Sequence, residues 1–310
     1  MPLHGTHGPR GGQAAREAEQ LARTLDDPGL LALALDARFL QSASRAGIGA
    51  ELVALTAGAA HLATFEVLGH LVLVQASSAL GDLAGADRHA AAADALADRH
   101  GLPVVGVFTD WYAALRLAVT GRPDAARAAY RAAAARLTGP GMTGLQGGLL
   151  PLALLSLDPT AAGDADWGPH EPWVRPLVLL GQGDRAGAQV ALDAAPDSPR
   201  DLLLEARGCL LALAAVELGD RTAMARAYGQ LLPAADELAG AGSGLLTVGP
   251  TALHLDRLAL GLGLDEQAAL HARQALAVAE RAGAPHWAAA ARSALDQPGS
   301  RPGRGRPWSS

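Results

Sequence analysis

This sequence contains no lysine and no asparagine, and it has one cysteine, Cys209, and one isoleucine, Ile48. Each scarcity excludes something. Without lysine there is no Walker-type phosphate lysine, no Schiff-base lysine and no kinase-type lysine. Arginine supplies all 25 basic residues, a usage we attribute to the codon bias of a GC-rich bacterial genome. A single cysteine forms neither a disulfide framework nor a thiolate zinc site, and Cys209 reads as a small buried hydrophobe. Aromatic residues make up only 4% of the chain. The shortage of isoleucine and tyrosine argues against a β-rich fold. The longest apolar runs, 67–74, 149–157 and 202–218, are short of a bilayer span or broken by His, Glu, Arg or Pro. The first ten residues hold no apolar signal core. A soluble, cytoplasmic protein without a membrane partner is expected.

What remains is alanine and leucine, strong helix formers. Half of the 310 residues are apolar and 18% are charged, enough for a large core in one extended array or two globular domains. Net charge is −6; the Arg-bearing tail 297–310 carries +3, leaving −9 on 1–296. So acidic a body disfavours a broad phosphate-binding face.

One signature recurs five times: a glycine, a small or apolar residue five positions on, and another seven further. The sets are Gly81/Ala86/Ala93, Gly121/Ala126/Ala133, Gly183/Ala188/Ala195, Gly219/Met224/Leu231 and Gly263/Ala268/Ala275. Glycine ends one helix and turns the chain. The two later positions share a face of the next helix, where small side chains admit a neighbouring helix. The spacing predicts an all-α fold, a TPR-like α-solenoid of antiparallel helix pairs. The turn glycines lie 40, 62, 36 and 44 residues apart, against about 34 in a regular TPR array.

Residues 1–12 and the Pro/Gly/Arg tail 297–310 are expected to be disordered. A helix is predicted over 13–25, then one capped by Asp27 with Pro28 at its first position and ending near Ala46-Gly47. Helices should follow at about 50–63, 65–80, 82–100, 108–120, 124–137, 145–157, 198–218, 220–238, 250–262, 265–282 and 286–295. The irregular stretch 139–172 reads as an insertion within one helical-repeat domain spanning 13–296.

No catalytic motif is present, and no cofactor or metal is expected. Gly240-Ala-Gly-Ser-Gly244 has the glycine density of a phosphate loop but follows a helix, so it reads as an interhelical loop. Glu66 and His70 share a helix face at a spacing that suits a metal ion, yet no further ligand is evident. His4 and His7 lie in the N-terminal end. Arg301–Arg306 is a weak footprint for nucleic acid, and no specific nucleic-acid binding is expected.

In arrays of this kind the first helix of each pair lines a concave groove. Positions 13, 10 and 6 before each turn glycine give Leu68, Leu71, Gln75; Phe108, Trp111, Leu115; His170, Trp173, Leu177; Ala206, Cys209, Leu213; and Pro250, Leu253, Arg257. Phe108, Trp111, Leu115, Trp173, Leu177, Leu213 and Arg257 are the candidate partner-binding residues. An apolar groove of this size should be covered by a protein domain or a hydrophobic ligand. The alternative is that these residues pack between helices.

Four segments carry a resemblance: Thr64-Phe-Glu-Val-Leu-Gly-His-Leu-Val-Leu73, Asp110-Trp-Tyr-Ala-Ala-Leu-Arg-Leu-Ala-Val-Thr-Gly-Arg-Pro123, Asp166-Trp-Gly-Pro-His-Glu-Pro-Trp173 and Ala284-Pro-His-Trp-Ala-Ala-Ala-Ala-Arg292. Residues 13–295 resemble the C-terminal helical-repeat region of the large antibiotic-regulatory-protein (SARP) transcriptional regulators of high-GC bacteria. In that family a winged-helix DNA-binding domain, an activation domain and often a nucleotide-binding domain come before the repeats. The resemblance implies a non-catalytic regulatory module whose partner is a protein or those missing regulator domains. A general TPR-like scaffold is the alternative, and a small-molecule-sensing helical domain is a further one.

Overall fold

A computed structural model describes residues 9–39, 45–137, 147–161 and 163–296. Among them there are fifteen α-helices, no strand, and one isolated antiparallel bridge between Leu238 and Pro250. The helices are α1 (Pro9–Leu25), α2 (Pro28–Phe39), α3 (Arg45–Thr56), α4 (Ala63–Ala79), α5 (Leu83–His100), α6 (Val105–Val119), α7 (Pro123–Ala135) and α8 (Leu149–Leu157). They continue as α9 (Glu171–Gly181), α10 (Arg185–Ala194), α11 (Leu204–Leu218), α12 (Arg221–Leu231), α13 (Thr251–Leu262), α14 (Asp265–Arg281) and α15 (Pro285–Asp296). The all-α expectation holds. Residues 1–8, part of the 139–172 stretch and the tail 297–310 lie outside the described residues, as do His4 and His7.

All five signature glycines sit between consecutive helices in the left-handed region, with φ from 74° to 81°. All ten of the following small or apolar positions are buried. After Gly81, Gly183 and Gly219 an aspartate caps the next helix: Asp82 accepts from Gly85 N at 2.9 Å, Asp184 from Gly187 N at 2.8 Å, and Asp220 from Thr222 N at 2.9 Å. After Gly121 the cap position is Arg122, which makes no side-chain cap, and Pro123 opens the first turn of α7. Asp27 caps α2 as predicted, accepting from Gly29 N and Leu30 N.

Some boundaries differ. Helix α1 begins at Pro9, ahead of residue 13. Ala46-Gly47 lie inside α3 instead of ending a helix. Gly49 of α3 and Gly69 of α4 face each other: a Cβ on Gly49 would lie 3.1 Å from the Gly69 carbonyl, and one on Gly69 would meet Val53. Glycine there permits close helix contact, not a stop. Helix α11 begins at Leu204, not near Ser198. Asp201 Oδ1 accepts from Leu203 N at 2.9 Å, whereas Ser198 Oγ is held by Arg207 Nε at 2.7 Å and does not cap.

Successive helices pack together within each pair, and the first helices of neighbouring pairs also touch: α4 with α6, α9 with α11, α11 with α13. A further contact is one that a linear array does not make. Val278 and Ala279 of α14, Ala282 and Ala284 of the turn after it and Ala288 of α15 share a buried cluster with Val74, Leu83, Ala86, Tyr112 and Leu115 of α4–α6. Arg281 donates to the carbonyls of Leu80 and Asp236, reinforcing that seam. The C-terminal helices thus close back on the N-terminal half. Among the described residues one segment, Ala60–Ala79, is long and apolar enough to cross a membrane by length and composition. Half of it is buried between α3, α5 and α6, as in a core helix.

The small-residue seam gives a direct expectation. Ala126→Leu, at a fully buried position, should destabilise the fold by about 1–3 kcal/mol through overpacking. Ala132→Leu, exposed on the same helix, should change stability by no more than about 0.5 kcal/mol. Urea denaturation of both variants checks this.

Candidate partner-binding groove

The offsets from the turn glycines do place candidate residues on neighbouring first helices, but the surface they form is occupied by the chain itself. The link between α12 and α13 leaves the 3₁₀ turn Leu232–Ala234 and returns across α4, α6 and α11 as far as Pro250. Leu238 is buried with Val74, Tyr112 and Leu115. Leu246 is buried with Trp111, Ala206 and Leu210. Leu238 N donates to Ala79 O at 2.7 Å, and Gln75 Nε2 donates to Ser243 O at 3.3 Å. Between this segment and α4/α6 remains a cavity of ≈ 20 Å³ lined in part by Leu71, Gln75, Phe108, Ser243 and Gly244, room for one water molecule.

The common open surface expected for the candidates is therefore corrected. Trp111 is 1% exposed and Leu115 fully buried. Trp111 stacks obliquely on Tyr130, with centroids 5.5 Å apart. Neither Trp111 Nε1 nor Tyr130 OH has a hydrogen-bond partner, so Trp111 contributes through packing alone. Trp173, 7% exposed, belongs elsewhere. Its Nε1 donates to Pro196 O at 3.0 Å, and the Arg207 guanidinium lies over its ring at 4.9 Å. Arg207, itself buried, also holds Ser198, Pro199 and Asp201, so this cluster pins the α10–α11 connection. Leu213 is buried, Leu177 is half-buried between two core clusters, and Phe108 and Arg257 are half-buried. Covering by a separate domain or a hydrophobic ligand gives way to covering by residues 238–249.

The glycine-dense stretch 240–244 is part of this covering segment and is buried. Three of its five amides are already spent: Ala241 N donates to Leu238 O, Ser243 N to Gly240 O and Gly244 N to Ala241 O. A phosphate cradle needs those N–H groups free and pointing at a ligand. The sequence signal for the segment was there, a run of small residues between Leu238 and Leu245-Leu246. Its target, about 160 residues earlier in the chain, was not.

Around His70 the structure adds a residue that the sequence spacing missed. His89 of α5 brings its Nδ1 to 3.0 Å from His70 Nδ1, with ring centroids 5.3 Å apart. The two nitrogens point at one another, as in a single N–H···N hydrogen bond; two ligands of one metal would aim at a shared third point. No group of three or more His, Cys, Asp or Glu placed to hold a metal occurs among the described residues. Cys209 is fully buried and burial pushes its thiol well up, consistent with the packing reading.

No family model, curated protein or solved structure matches this chain.

Burial also sets charge states in the interior. His254, whose Nε2 lies 3.1 Å from Val248 O, is pushed down to about 4 by desolvation. Burial likewise holds His170 at about 4 and pushes Asp256 up to about 6. The two histidines gain protons on unfolding, so each removes stability as pH falls from its usual 6.5 toward 4. Each full loss is on the order of 3 kcal/mol. Asp256 has the opposite sign: folding binds its proton, so it adds stability as pH falls from 6 toward its usual 3.8. Asp256→Asn should therefore steepen the acid loss of stability between about pH 6 and 4, read by urea melts at stepped pH.

Packing against the covering segment has its own test. Trp111→Ala should cost about 3–5 kcal/mol and Leu246→Ala about 2–5 kcal/mol. Trp111→Phe, which removes the unpaired N–H, should cost well under the alanine variant. Thermal melts of the three variants check the order.

Proposed function

We propose that this chain is a non-catalytic, cytoplasmic protein-interaction module with a regulatory role. Its helix pairs form a TPR-like array whose row of first helices is filled from within. It resembles the C-terminal region of a SARP-type regulator and acts on a protein partner, or on the DNA-binding and nucleotide-binding parts such regulators carry. The observation that carries this reading is the self-filled interior. The face that such arrays use to enclose a ligand is taken by residues 238–249, through Leu238 on Leu115 and Leu246 on Trp111. Recognition then falls to the outer helix faces, which is how a scaffold meets a macromolecule and not how a site encloses a substrate.

The reading is tested by co-purification of the tagged chain from the cell that encodes it, with mass spectrometry of what it retains. Recovery of a winged-helix or nucleotide-binding protein, retained after a high-salt wash and absent from a tag-only control, is the expected outcome. Retention of no protein, together with turnover of a small molecule by the purified chain, would overturn it.

A further inference from the structure

The first helix is built inside out. Helix α1 has only two leucines, Leu21 and Leu25, and they are 62% and 58% exposed. The face it turns toward its neighbours carries Ala15, Glu19 and Ala22 instead. Glu19 is buried there in a network with Arg23 of α1 and Arg38 of α2, and Arg23 also reaches Glu51 of α3. That network fixes the rotation of α1 and leaves its leucines outward. Helix α2 buries Leu35 and Phe39 in the core but leaves Leu30 and Leu33 exposed at 45% and 55%.

The exposed apolar residues form helical stripes. On α1 they are Ala14, Ala18, Leu21 and Leu25, spaced 4, 3 and 4 residues apart; on α2 they are Leu30, Leu33 and Ala37, spaced 3 and 4. A 4–3–4 spacing is the seam of a helix that packs lengthwise on another helix. The order of sizes along α1 is also informative. Two alanines come first and two leucines follow. If two copies of α1 meet antiparallel about a twofold axis, Ala14 of one faces Leu25 of the other, and Ala18 faces Leu21. Small then meets large along the whole seam, the self-complementarity that an isologous interface requires. A parallel pairing would set leucine on leucine and leave a gap at the alanines.

The area agrees. The four leucines and their flanking alanines expose on the order of 500 Å² of apolar surface per chain, the size at which a patch on a single molecule marks an interaction site. Two such patches face to face bury about 1,000 Å², the lower bound for a specific interface.

We propose that the α1–α2 face docks a second copy of this chain, giving a twofold dimer with α1 antiparallel to its symmetry mate at the centre of a four-helix contact. This goes beyond the interaction-module reading and does not depend on it. The area at the lower bound predicts a dimer that forms in the micromolar range and dissociates on dilution.

Sedimentation velocity across a dilution series tests the proposal. At about 50 μM the wild type should approach twice its 31.4 kDa mass, and Leu21→Glu combined with Leu33→Glu should sediment at 31.4 kDa. Both substituted positions are more than half exposed, so far-UV circular dichroism of the variant should match the wild type. A second variant set guards against simple misfolding and reads the orientation. Under oxidising conditions Ala18→Cys mixed with Leu21→Cys should give a disulfide-linked heterodimer, because the only native thiol, Cys209, is buried. A wild type that stays at 31.4 kDa at about 50 μM overturns the proposal, as does a dimer that survives Leu21→Glu/Leu33→Glu. Failure here leaves partner capture by the module untouched, since that is read in a separate co-purification.

Discussion

The structure depends on one packing arrangement, the seating of residues 238–249 against α4, α6 and α11. First helices rich in leucine and aromatic residues present an apolar row that water would penalise. Leu238 and Leu246 cover it, each fully or almost fully buried. A buried irregular segment is costly unless its backbone groups find partners. Here they do. Ala239 N donates to Gly249 O and Val248 N to Ala239 O, while Thr247 Oγ1 donates to Ala239 O and Ser243 Oγ to Gly240 O. Small side chains make this possible. Around Gly240 the Ala206 methyl lies only 2.9 Å from where a Cβ would sit.

The closure of the array follows from the same seat. Leu238 and Ala241 share their cluster with α14 and α15 on one side and with α4–α6 on the other. Arg281 spans the seam through the carbonyls of Leu80 and Asp236. Removing the segment would therefore open the interior and take away one side of that seam, leaving the direct contacts of Ala282 and Arg281 with the α4–α5 turn. The interior is filled by the chain itself, and among the described residues the three most exposed leucines, Leu21, Leu25 and Leu33, lie on α1 and α2.

Much of this was legible in the sequence wherever the signal is local. A turn glycine and small or apolar residues five and twelve positions later specify a helix–turn–helix, and each such residue is found in its expected role. Glycine misled where it serves two purposes: Gly47 read as a stop, but α3 runs through it, and nearby Gly49 sits where α3 presses on Gly69 of α4. The groove was half legible. The offsets found the correct helix faces at Trp111 and Leu115, but the segment that covers them comes from far along the chain and carries no periodic signal. Trp173 failed for a different reason. Its ring is claimed by Arg207 and its N–H by Pro196 O, contacts that depend on how the α10–α11 connection folds back.

The central claim is that residues 238–249 form part of the core and are not a surface loop, and native-state hydrogen exchange tests it most directly. The amides of Leu238, Ala239 and Val248, bonded to Ala79 O, Gly249 O and Ala239 O, should exchange only through global unfolding, as slowly as the centre of α6. If they exchange orders of magnitude faster than α6, on the scale of an exposed connection, the groove is open and the account is contradicted.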